Sequence, residues 1–224
     1  MWSELPRAVE RGVAPEVWSN DAEGSPLEKL VVALAPGAWP VAQHVAARLG
    51  LATLEAPRVL DLGGGAGAHS AAFLLANPGA RCTQIERANV NRLARDYVAR
   101  FGVGERFDTI DGDLNLTDFG DGMYDVVLYS NVAHMQSPDA NRAVFRRIRC
   151  ALKPGGTLVV IDAIMHDDRS GPPFPCLFQL EMLLGTPAGG SWCEADYRSW
   201  LVEAGFDDLT VEPTPAGRTA IIAR

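Results

Sequence analysis

From residue 57 onward, apolar runs of strand length alternate with stretches whose apolar positions recur at helical spacing. "PRVLDLG" (57–63), "ARCTQIE" (80–86), "RFDTIDGD" (106–113), "YDVVLYSNV" (124–132) and "TLVVIDAIM" (157–165) are short and nearly continuous in apolar character. That is the pattern of strands buried on both faces of a parallel sheet. Between them, "GAHSAAFLLANPG" (67–79), "RANVNRLARDYVARFG" (87–102) and "PDANRAVFRRIRCALKPGG" (138–156) read as helices. The first stops at Asn77-Pro78-Gly79, the second at Gly102 and the third at a Pro-Gly-Gly turn. The tail differs: a helix in "EADYRSWLVEAGF" (194–206) precedes two closely spaced strands, "DDLTVEPT" (207–214) and "GRTAIIAR" (217–224). Their short connection suggests an antiparallel hairpin at the sheet edge.

Alternating strands and helices predict an α/β fold with a doubly wound, Rossmann-like sheet. Residues 1–52 read instead as an N-terminal helical cap segment, and 53–224 as the sheet domain. In the cap, "SELPRAVERG" (3–12) offers Ser3 as a cap and Gly12 as a stop. "SPLEKLVVALA" (25–35) offers Ser25 as a cap with Pro26 at the first helical position. "GAWPVAQHVAARLG" (37–50) reads as a separate helix starting near Pro40 and closing at Gly50.

Composition narrows the class. Of 224 residues, 47% are hydrophobic and 21% charged, which is globular rather than disordered. The net charge of −8 argues against a nucleic-acid partner, which needs clustered Lys and Arg. The one basic stretch, "FRRIRCALK" (145–153), reads as the solvated face of a helix. Cys82, Cys150, Cys176 and Cys193 form no paired motif, so a cytoplasmic location with free thiols is expected. No uninterrupted apolar run reaches the ~20 residues that cross a bilayer, so no membrane partner is expected.

The candidate chemistry begins in the loop after the first strand. Gly63, Gly64, Gly65 and Gly67 let bare backbone approach a ligand at the carboxyl end of the sheet. Glu86, at the end of the second strand, can accept both hydroxyls of a ribose. The glycines alone also admit a dinucleotide, since Gly63-x-Gly65-x-x-Ala68 fits the looser fingerprint. Three features count against an NAD(P)-dependent oxidoreductase. Asp61 sits inside the first strand, "DGDL" (111–114) sets an acid beside an apolar residue where an adenine could lie, and the sheet ends antiparallel.

"VLDLGGGAG", "IERANV", "GDL" and "ALKPGGTLVVID", in that order, resemble class I S-adenosylmethionine-dependent methyltransferases. The chain is similar in particular to small-molecule O-methyltransferases of bacterial and plant natural-product pathways. "HMQSPD" (134–139) and "WLVEAGFDDLTVE" (200–212) stand where that family has a histidine motif and a late helix-strand unit. The resemblance implies a seven-stranded sheet in the order 3-2-1-4-5-7-6 with the last strand antiparallel. It also implies S-adenosyl-L-methionine as cofactor and a small-molecule acceptor. Gly63, Gly65 and Gly67 would line the methionine part and Asp61 would support them. Glu86 would hold the ribose, Asp113 and Leu114 the adenine, and Ser130 and Asn131 would flank the methionine end. Two departures stand out. The short segment before the first strand leaves no room for the family's winged-helix dimerisation domain, which puts a homodimer in doubt. No acid follows His134, as one does in the plant motif.

Methyl transfer from a sulfonium is an in-line displacement that needs positioning and exclusion of water. A hydroxyl acceptor must also lose its proton, and His134, just past the fourth strand, is the candidate base. His44 and His69 read as helix-face or packing residues. His166, Asp167 and Asp168 are adjacent in a Pro/Gly-rich loop and converge poorly on one ion, so no metal is expected. The acceptor wall is expected between the N-terminal helices and residues 174–192, with Trp18, Met135, Phe178 and Met182 as apolar lining. A non-catalytic module that binds the cofactor remains the second alternative to an enzyme.

Overall fold

The computed structural model describes residues 2–12 and 24–224. Seven strands form one sheet: β1 (Arg58–Leu62), β2 (Arg81–Glu86), β3 (Phe107–Asp111), β4 (Tyr124–Ser130), β5 (Leu152–Asp162), β6 (Leu209–Pro213) and β7 (Thr219–Ala223). Their order is β3-β2-β1-β4-β5-β7-β6, with only β7 running against its neighbours. This is the expected α/β sheet. Helices α1 (Leu5–Arg11), α2 (Pro26–Arg48), α3 (Ala68–Ala76) and α4 (Ala88–Ala99) precede β3. After β4 come α5 (Pro138–Ala151), α6 (Pro173–Gly185) and α7 (Glu194–Glu203).

Side chains alternate across each strand and feed two cores. Leu60, Leu62, Val127 and Tyr129 face a cluster with Phe145 and Ile148 of α5 and Tyr197 and Trp200 of α7. Val59, Val126 and Leu128 face the opposite cluster, with Val41 and Val45 of α2, Phe73 of α3 and Val98 of α4. The same alternation decides where two acids go. Asp61 shares the α2–α3–α4 face with Val59, whereas Asp162 shares the α5–α7 face with Val160. Both acids are fully buried.

Three expectations need correction. The N-terminal helix begins after Glu4, which makes no side-chain cap bond, and the expected cap Ser3 lies in a preceding 3-10 turn. Where two helices were expected between 25 and 50, one forms: α2 runs unbroken past Pro36 and Pro40. The two rings are four residues apart and exposed, so the carbonyls that lose their donors (Val32 and Pro36) also turn toward water. At its start Ser25 Oγ accepts from the Glu28 N–H and Glu28 Oε2 accepts from the Gly24 N–H, a reciprocal cap of the kind worth about 1 kcal/mol. Fusing the halves makes α2, by length and composition, apolar enough to cross a membrane. In this fold it instead packs on α3, α4 and the β6–β7 turn, burying Val41, Ala42, Val45 and Ala46. Finally, β5 starts at Leu152, so the expected Pro-Gly-Gly turn lies within the strand's span, at a register shift against Tyr124 and Val126.

Candidate active site

The carboxyl ends of β1, β2, β3, β4 and β5 meet along one edge, and the antiparallel β7 brings its first residue there too, with Thr219 opposite Asp162. At β1 the chain turns through Gly63, which donates its N–H to the Ile85 carbonyl of β2. Gly63 has φ +68°, and a Cβ there would strike the Val132 side chain. Gly64 is constrained differently: its Cβ would meet Gln84 Oε1 and would lie 2.6 Å from Asp61 Oδ2. Main chain is therefore the only thing that fits over Asp61.

Asp61 Oδ2 accepts from Ser70 Oγ of α3 at 2.8 Å, while Oδ1 has no partner although buried. Burial pushes this carboxyl up to about 6, with the Ser70 bond opposing the rise and the charge of Glu86 adding to it. Glu86 is half-buried and accepts from the Arg87 N–H at 2.8 Å. Burial raises it as well, against the lowering effect of the Arg87 and Gly65 N–H groups. Two carboxylates thus crowd a loop of bare backbone, one with an unsatisfied oxygen, which suits a ligand that is cationic near the glycines. Gln84 braces the loop, its Nε2 donating to the Gly65 carbonyl and to Asn91 Oδ1, both at 3.1 Å. Gly67 ends the turn at φ +80°, N-terminal to α3. His69, in the first turn of α3, is buried and neutral, its pKa lowered to about 4 by burial.

The next loop carries Asp113 and Leu114. Leu114 reaches back to the Gly63 turn, while Asp113 is exposed and accepts from the Asn115 N–H at 2.7 Å. Arg147 of α5 ties this loop down through the Leu114 and Thr117 carbonyls, its guanidinium over the Phe119 ring. The basic stretch of α5 is thus only partly a solvated face: Arg146 and Arg149 are exposed, but Arg147 is a strut.

Across β1, the ends of β4 and β5 build the other half. Ser130 is buried, and Asn131 takes φ +54° and donates to Ser130 Oγ at 3.0 Å. His134 is 7% exposed and sits in a short 3-10 turn. Its Nδ1 lies 2.6 Å from Asp162 Oδ1, and its backbone N–H donates to Oδ2 at 3.1 Å. The Ala163 N–H and the Tyr197 hydroxyl complete four donors, two on each oxygen of Asp162. Burial alone would raise this acid, but the His134 charge and these bonds outweigh it and hold it below the usual carboxylate range. An ionised carboxylate only accepts. Nδ1 therefore carries a proton, which in the neutral ring leaves Nε2 as the acceptor.

Phe178 of α6 sets its edge against the His134 ring, centroids 4.8 Å apart. Met182 lies one turn farther along the same helix face, half-buried, and Met135 follows His134 at 41% exposure. Trp18 lies outside the described residues. The segment after α6 grips the histidine turn from behind: the Gly190 N–H donates to the His134 carbonyl at 2.8 Å and the Trp192 indole to the Ala133 carbonyl at 3.0 Å. Sequence reasoning missed Asp162, Gln84 and α6 itself. The signal for Asp162 was present: "VVIDA" sets an acid at the end of an apolar strand, as "VLDLG" does for Asp61. Among the described residues no cluster of metal-ligating side chains occurs.

Known proteins are similar to this chain in sequence and fold. A Streptomyces sahachiroi 3-hydroxy-5-methyl-1-naphthoate 3-O-methyltransferase is 31% identical over 183 residues, 81% of this chain and 52% of its own length. Human N-acetylserotonin methyltransferase, solved in complex with SAM, superposes with a TM-score of 0.82 at 28% identity, covering 100% of this chain and 66% of its own. A provisionally assigned O-methyltransferase from Nostoc punctiforme gives a TM-score of 0.90 at 29% identity, with 99% and 66% covered. The chain spans about half the length of the curated relatives it matches. The O-methyltransferase domain model matches residues 11–207, and the chain belongs to that family.

Proposed function

We propose that this chain is the catalytic part of an S-adenosyl-L-methionine-dependent O-methyltransferase acting on a small-molecule hydroxyl. The observation that carries the reading is the His134–Asp162 pair, held at 2.6 Å on the same sheet edge as the glycine loop. The residues present fit the cofactor. The unpartnered Asp61 Oδ1 and the crowded Glu86 suit its ammonium and sulfonium charges and its ribose diol. The bare backbone of Gly63, Gly65 and Gly67 leaves room for the methionine part, with Ser130 and Asn131 at its far end. Asp113 and Leu114 would hold the adenine. When bound, the sulfonium supplies an activated methyl group.

The chain's own residues do the rest. Phe178, Met182 and Met135 would shape the acceptor wall and exclude water. Nε2 of His134 would take the proton of the acceptor hydroxyl as that oxygen is methylated. Asp162 keeps Nδ1 protonated and the ring fixed, and stabilises the imidazolium that results. No metal is invoked in these steps. The relatives named above act on a naphthoate hydroxyl and on N-acetylserotonin, which supports an aromatic hydroxyl as the reacting group. Residues 1–52 are assigned as a cap on the domain formed by 53–224, with α1 packing on α6. The acidic charge and four free cysteines support a cytoplasmic enzyme without a nucleic-acid or membrane partner.

Calorimetry with S-adenosylhomocysteine (SAH), with NADPH as control, tests the cofactor assignment. Heat with the first and none with the second is expected; the reverse would return the chain to the oxidoreductases. Mass-spectrometric detection of a methylated product from a panel of phenols tests the acceptor class.

A further inference from the structure

Arg218 is the residue just before β7, and the antiparallel course of that strand delivers it to the same edge as Asp162. Its guanidinium lies over the ring of Phe174, 4.4 Å from the centroid. Phe174 stacks on Phe178 at 5.4 Å, and Phe178 meets the His134 ring at 4.8 Å. A continuous aromatic wall therefore runs from the base to a cation. Arg218 Nε donates to Asn131 Oδ1 at 3.1 Å, and no other side-chain bond of Arg218 occurs among the described residues.

The guanidinium has five N–H donors, and the four on Nη1 and Nη2 are unused by these residues. Arg218 makes no ion pair among them either, although it is half-buried. Asp162 is the nearby acid, but its lone pairs are filled by His134, Ala163 and Tyr197. A partly desolvated cation with an open planar fork matches a carboxylate, which it can hold through two parallel bonds.

We propose that Arg218 selects the acceptor: its free fork receives a carboxylate carried on an aromatic hydroxy acid whose hydroxyl faces His134. This rests on the methyltransferase reading above. The aromatic body of the acceptor lies along Phe174 and Phe178, so the acid end and the reacting end are fixed together. Asn131 steadies the guanidinium and orients its fork.

The test compares hydroxyarenecarboxylic acids of one and two rings, 3-hydroxybenzoate and 6-hydroxy-2-naphthoate among them, with their primary amides. Each is titrated into the full chain with and without saturating SAH. Where they bind, acids should bind about tenfold or more tightly than their amides, the scale of one charge-assisted contact. Arg218→Leu should abolish that preference and leave amide binding and SAH binding unchanged. Arg218→Lys should retain part of it, and Arg218→Gln carries the comparison if the leucine variant does not fold. The proposal is overturned if no acid outbinds its amide in the native chain, or if the neutral variants keep the preference. It is equally overturned if they lose SAH, because the fork then serves the cofactor's own carboxylate. Absence of SAH heat in the native chain sinks the methyltransferase reading instead, and the titrations without SAH keep the two failures apart.

Discussion

The two halves of the site hang from opposite faces of the sheet and are assembled in different ways. The cofactor half is nearly contiguous: Asp61, the glycine loop and Ser70 fall within one strand-turn-helix unit, and Glu86 ends the next strand. Its chemistry is main chain plus a buried acid left partly unsatisfied. The acceptor half is gathered from β4, β5, α6, α7 and the β6–β7 turn, and its buried acid is fully satisfied. Two strand-end aspartates thus take opposite electrostatic settings. Asp61 is raised and keeps an oxygen open for a ligand; Asp162 is lowered by His134 and a full set of donors.

That contrast can be broken most forcefully at His134. His134→Ala should lower turnover by ~10²–10⁴ without changing SAH affinity. Near-native turnover would show that proximity alone suffices and that the satisfied acid has no catalytic partner. Next in size is Asp61→Asn. A buried carboxyl raised from its ordinary 3.8 to about 6 destabilises the ligand-free fold above pH 6 by about 3 kcal/mol. The asparagine variant should therefore be more stable than the native chain at pH 8, the gain fading as pH falls from about 6 to about 4. His69 tilts both proteins the other way, since a histidine held down to about 4 costs stability as pH falls below 6.5. The quantity to compare is variant minus native, from thermal or urea unfolding across pH. A gain that does not vary with pH would mean that Asp61 is already neutral or already paired.

Glu86→Ala should weaken SAH by about 1–3 kcal/mol, the scale for losing a buried polar partner. Asp113→Ala should cost less, about 1 kcal/mol, because the exposed Asp113 gives up less desolvated contact. Equal SAH affinity for both variants and the native chain would move the ligand off this half altogether.

The same contrast explains what is legible in the sequence. Gly63, Gly65, Gly67, Asp61 and Glu86 were legible because a tight turn and a strand end impose local spacing, and local spacing survives in one dimension. His134 was legible through its resemblance to a family motif. Asp162 repeats the Asp61 signal, yet its meaning depends on Tyr197 and His134, which lie 35 and 28 residues away in sequence. Arg218 stands between two strands in a stretch that reads only as a hairpin. Helix α6 is obscured by Pro173 and Pro175 in its first turn, and α2 reads as two helices because Pro36 and Pro40 interrupt its pattern. Neither pair breaks its helix: the α6 prolines sit in the first turn, where no intrahelical N–H bond is lost, and the α2 prolines leave their orphaned carbonyls facing water.

The Gly190 N–H bond to the His134 carbonyl, the Trp192 bond to Ala133 and the edge contact of Phe178 join the specificity wall to the proton acceptor as one solid piece. A Cβ on Gly189 would run into the His134 carbonyl, so that joint has no slack. Attempts to widen the range of acceptors by pruning α6 would therefore blunt the reaction as well.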